Sequence, residues 1–160
     1  MIWGALAGGF VGTLVLTTSL RAGSELRLTR IDLPFMLGTV ATRDRERAKA
    51  VGYVVHFVFG MIFALGYYAV FRAIDRSGWW EGALLGLAHG LFASTALVNI
   101  LLPLVHPLMP ARPSAAAPPP LLERPGFLML NYGRSTPVVT MAAHVAYGAI
   151  VGGFMSLAGG

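Results

Sequence analysis

The side chains of this chain best able to do chemistry inside an apolar environment are its histidines. His56 and His144 each open an H-x-x-x-G, running to Gly60 and to Gly148. An imidazole one helical turn from a glycine leaves room for a flat ligand against the backbone, so the pair is a candidate for the two axial ligands of a b-type haem. An imidazole also titrates near neutrality. With Asp32 and Glu123 at an inner mouth, the same pair could pass protons or hold a cation, as in a small proton- or ion-coupled transporter. His89, eight residues past Glu81, enters from the opposite surface and is expected several ångströms out of the His56–His144 layer, while His106 belongs to a segment end. The plain alternative is that each histidine hydrogen-bonds a hydroxyl or carbonyl of a neighbouring helix. Other chemistry is poorly served. The chain has no cysteine, which excludes disulfides and thiolate metal sites. It also lacks H-E-x-x-H, G-x-S-x-G and a phosphate loop, so neither an enzyme nor a metal centre is expected.

The elements that must position these histidines are four uncharged apolar stretches, 2–20, 50–71, 82–105 and 137–158. Each approaches or exceeds the roughly 20 residues that cross a bilayer as a helix at about 1.5 Å per residue. All twelve bases and seven acids lie outside them. The chain is therefore read as an all-α integral membrane protein, a single bundle of four spans. From the adjoining loops, His56 and His144 fall at one depth, roughly 10 Å below the surface.

The charges also orient the bundle. Loop one holds Arg21, Arg27, Arg30, Arg43, Arg45, Arg47 and Lys49, and loop three Arg112, Arg124 and Arg134, whereas loop two holds only Arg72 and Arg76. The positive-inside rule then puts loops one and three in the cytoplasm, facing anionic lipid headgroups rather than nucleic acid, and both termini outside. Trp3, Trp79 and Trp80 would lie in the outer headgroup layer. Met1 enters the first span without a basic n-region, so 2–20 is expected to be a retained helix.

Sliding the chain on itself by 78 residues places Gly4, Ala5, Leu6, Gly8, Gly12 and Thr17 on Gly82, Ala83, Leu84, Gly86, Gly90 and Thr95. A shift of 88 places Val51, His56, Gly60 and Ile62 on Val139, His144, Gly148 and Ile150. This predicts a tandem duplication, 2–73 and 79–158, with a ten-residue excess in an irregular linker over 107–120. Two-span repeats point the same way, so the halves would be related by a pseudo-twofold axis along the membrane normal. Gly4, Gly8 and Gly12, and Gly82, Gly86 and Gly90, form GxxxG stripes that in lipid drive close helix approach. Spans one and three are thus expected to touch closely, either each other or copies in another subunit.

In loop one, Asp32 and Pro34 suggest the start of a short helix and Gly38 its stop; 123–133 could form its counterpart, lying in the interface or re-entrant. Glycine-rich odd spans, H-x-x-x-G at the head of even spans, and Asp32-Leu33-Pro34-Phe35-Met36-Leu37-Gly38 together resemble small uncharacterised bacterial inner-membrane families of four spans, domains of unknown function. The resemblance implies a membrane location and an unassigned role. The function expected from the sequence is a non-enzymatic helix-packing component of a homo-oligomer or larger membrane complex, with haem binding and transport as alternatives.

Overall fold

The computed structural model describes residues 1–109 and 122–159. Regular structure among them is wholly helical: α1 (Ile2–Glu25), α2 (Leu33–Gly38), α3 (Arg45–Ile74), α4 (Trp79–Phe92), a π-helix (Ala93–Leu101), α5 (Leu102–Val105), a short 3-10 segment (Phe127–Tyr132) and α6 (Thr136–Gly159). From α4 through the π-helix to α5 the chain forms one rod, Trp79–Val105, so four helices are long and apolar enough to cross a membrane. Each reaches beyond its uncharged stretch. α1 gains a last turn in which Arg21 pairs with Glu25 at 2.9 Å. α3 starts where the Asp44 carboxylate accepts the Arg47 N–H at 2.9 Å, and stops where Asp75 turns left-handed at φ 52°. Most of the 107–120 linker lies outside the described residues.

The glycine stripes do not bring spans one and three together, which corrects the sequence expectation. Both stripes dock on α6, from two sides. A Cβ at Gly8 would press on Val151, one at Gly12 on Tyr147, and one at Gly82 or Gly86 on the carbonyl of Gly148 or His144. The reason lies in α6, which presents Gly148 and Gly152 to α4 while Tyr147, Val151 and Met155 fill the core beside α1. In lipid the gain comes from contact density, and backbone against backbone gives the most. α1 carries a second small-residue face, where Gly9 meets Ala64 and Thr13 meets Gly60, and this holds α3. α3 and α4, though joined by a short turn, make no extended backbone contact.

The basic end is plugged. Asp32 caps α2 by accepting the Phe35 N–H at 3.1 Å and pairs with Lys49 at 3.5 Å. α2 is locked on α3 because Gly38 abuts the Ala48 carbonyl and Gly52 the Pro34 carbonyl, with no room for a Cβ at either. From α2, Met36 joins Met129, Tyr132, Val98 and Met109 in a second buried cluster. The matching element of loop three thus buries Met129 and Tyr132 against the bundle while Phe127 and Leu130 stay exposed. It is also not a regular helix: Leu128 and Met129 are left-handed at φ 51° and 59°. Thr136 donating to Thr29 at 2.8 Å, and the Arg30 N–H donating to the Tyr132 carbonyl at 2.8 Å, tie the two loops together.

Candidate functional site

Where α3 diverges from the third span, the bundle holds a cavity of about 380 Å³. His56 of α3, His89 of α4 and His144 of α6 all line it, among otherwise apolar walls that include Phe63, Leu97 and Val98. Three imidazoles from three helices thus meet in hydrocarbon surroundings. Polar groups at such depth are costly unless satisfied.

His144 is the best defined. Its Nδ1 lies 2.8 Å from the Thr140 carbonyl, and a carbonyl can only accept, so Nδ1 carries the proton. No carboxylate lines the cavity to balance a second proton, so Nε2 keeps its lone pair. His89 stands edge-on to it, with ring centroids 4.8 Å apart at 81°. Phe63 covers the other side of His89 at 3.9 Å, and the Tyr67 hydroxyl lies 3.4 Å from its Nδ1. Tyr147 crosses the centre of the bundle and donates to the Gly60 carbonyl at 2.6 Å. His56 is the unpaid member: its Nε2 is buried without a hydrogen-bond partner.

His56 and His144, matched in sequence, both line this cavity. His89, expected several ångströms out of their layer, lines the same cavity with its ring centroid 4.8 Å from that of His144. Measuring depth from each surface treats the spans as independent rods, whereas Gly86 and Gly90 seat α4 directly on the His144 backbone and side chain. The signal was present in the sequence as the glycines flanking His89. His106 lies elsewhere and is fully engaged: Nε2 is 3.0 Å from the Met36 carbonyl and 3.2 Å from the Thr39 hydroxyl, and Nδ1 accepts the Leu108 N–H. It fastens the end of the third span to α2.

Asp32 and Glu123 do not reach the histidines. Asp32 opens on a separate polar crevice of about 590 Å³ with Arg21, Glu46 and Lys49, while Leu20, Ile31 and Leu33 border both spaces and partition them. Glu123 pairs with Arg30 at 3.4 Å, and its carbonyl accepts the Tyr132 hydroxyl at 2.7 Å. Burial, with the Glu123 charge adding and Arg30 opposing, pushes that hydroxyl up to about 12.

The π-helix had no recognised sequence signal. It spans Ala93–Leu101 and forms one wall of the cavity. The Asn99 amide donates to the carbonyls of Ser94 and Thr95 at 3.2 and 3.0 Å, and Pro103, lacking an N–H, leaves one donor out of the ladder where the π-helix passes into α5. Among the described residues no group of three histidines or acids is arranged to hold a metal ion. Comparison with family models, with curated proteins and with solved structures gives no match, so the chemistry of the cavity is the ground for a functional reading.

Proposed function

We propose that this chain is a four-span protein of the bacterial cytoplasmic membrane, termini outside and basic loops against anionic headgroups in the cytoplasm, that binds a membrane-soluble apolar molecule in the histidine cavity. The observation that carries this reading is the convergence of His56, His89 and His144 on one apolar space. Ionisable side chains within spans mark function by default, because an unsatisfied one costs several kcal/mol. Binding is favoured over catalysis because the lining holds neither a carboxylate nor a cysteine. Native mass spectrometry of protein released from mild detergent tests the reading. A bound mass other than phospholipid is expected in the wild type and absent from Ala93→Phe, which fills the cavity from its wall. Bare protein, or adducts indifferent to that substitution, would sink it.

Haem b is the second reading, and His144 favours it: a histidine whose Nδ1–H is held by a carbonyl presents Nε2 to iron in the usual way. The rest of the lining fits haem poorly, because among the described residues no arginine or lysine faces the cavity to receive two propionates. An absorption spectrum before and after dithionite decides it. A Soret band that shifts on reduction and disappears in His144→Ala would replace the first reading by this one.

The packing role retains less support, since Gly4, Gly8, Gly12, Gly82, Gly86 and Gly90 are occupied within the chain. A homo-oligomer or larger complex would have to use lipid-facing side chains. Tandem duplication is the origin we favour, on the paired H-x-x-x-G and glycine registers. Its pseudo-twofold would make α3 meet the third span as α1 meets α6, and the cavity opens where that contact is lacking.

A further inference from the structure

We infer that the cavity is loaded sideways from the bilayer, between α3 and the π-helix, and that it takes a neutral lipid whose polar end is a hydroxyl. This rests on the cavity being a binding site. The other routes are closed. On the side away from the basic loops, Phe63 stacks on His89 at 3.9 Å, and Tyr147 is tied to Gly60. On the basic side, Met36 and Met129 are buried and Leu20, Ile31 and Leu33 separate the cavity from the polar crevice. Toward the bilayer the wall is open: Phe59, Leu101, Leu104 and Val105 line the cavity and are also exposed on the outer surface, Leu104 by 68% and Val105 by 71%. The cavity and the lipid-facing surface are therefore continuous at one gap.

The polar end follows from the nitrogens. His144 donates its Nδ1–H to the Thr140 carbonyl, so its Nε2 can only accept, and a ligand head that meets this nitrogen must donate. A hydroxyl donates; a ketone or ester carbonyl does not. Carboxylate and phosphate heads are disfavoured because no basic side chain lines the cavity among the described residues. An apolar alcohol, whether an isoprenoid alcohol or a prenylated hydroquinone, satisfies Nε2 and fills the rest of the space with hydrocarbon.

The test uses the full chain in lipid nanodiscs and a diazirine-bearing farnesol, with its methyl ether as the probe that lacks the donor. After photolysis, the alcohol should label cavity residues such as Val98 and Met129, and the ether should label them about tenfold less, the factor one net hydrogen bond confers. In His144→Phe that difference should vanish; if this variant fails to fold, the alcohol-to-ether ratio on unaltered protein still decides. Equal cavity labelling by both probes overturns the hydroxyl assignment and leaves the binding reading intact. Labelling confined to lipid-facing residues, unaffected by Ala93→Phe, overturns the cavity itself. Narrowing the gap with Phe59→Trp and Leu101→Trp should slow the onset of labelling by at least about tenfold, and an unchanged rate overturns the sideways route. Competition by unlabelled farnesol or by a prenyl hydroquinone supports the assignment and tells the two sources apart, whereas competition by neither overturns it.

Discussion

The two flanks of α6 and the gap beside α3 are built from similar materials to opposite ends. Against α1 and α4, α6 meets glycine stripes, and backbone lies on backbone with no room for a side chain. Between α3 and the third span, helices no less apolar stand apart, bridged by Phe63 and Tyr67 to His89, and leave a cavity. Lipid offers no hydrophobic drive to close such a gap, so only local shape decides whether two spans touch. Small residues in register close the first interface; aromatic rings and a π-helix hold the second open.

The largest expected effect tests the closed side. Gly86→Leu drives a side chain into the His144 carbonyl and should lower stability by about 3 kcal/mol or more. Gly66→Leu, where a Cβ meets nothing, should leave it unchanged; SDS-titration unfolding in mixed micelles measures both. If Gly86→Leu is tolerated, the contrast between the interfaces is false. On the open side, Ala93→Phe adds volume where space exists, so stability should change by less than about 1 kcal/mol while ligand binding is lost. A loss as large as that of Gly86→Leu would mean the gap is tighter than it looks.

The plug should respond more gently. Tyr132→Phe removes the 2.7 Å bond to the Glu123 carbonyl and should cost about 1 kcal/mol. The Tyr132 hydroxyl is raised in the folded state to about 12, so its contribution is intact below the ordinary value of about 10 and is lost as pH rises through 10 to 12. The wild type should therefore lose stability across that window and the phenylalanine variant less so. Smallest of all, Lys49→Ala breaks a half-exposed pair with Asp32 and should shift stability by at most about 1 kcal/mol, diminishing in high salt.

Much of this arrangement was legible in the residues. Uncharged stretches of spanning length marked four helices, Asp32 and Pro34 marked the start of α2, and the matched His56 and His144 both line one cavity. These are local signals, carried by composition, capping chemistry or periodicity. What a stripe of glycines will touch is not local. Gly4, Gly8 and Gly12 say that something packs closely against them, and nothing in α1 says that it is α6. That His89 lines the cavity with His56 and His144 is not local either, because it depends on how α4 seats on α6. The left-handed Leu128 and Met129 are adopted against their own preference, held by a buried cluster assembled from α2, the third span and loop three.

The sequence by itself determined that this chain has four membrane-length helices, which faces of them admit close approach, and which of them carry histidines. Only the tertiary structure decided that α6 takes both glycine stripes, that α3 and the third span stay apart, and that three histidines rather than two look into the space between. The physical reason is that helix formation in lipid is settled within each segment by its own hydrogen bonds, whereas helix pairing is settled by shape complementarity between segments distant in the chain.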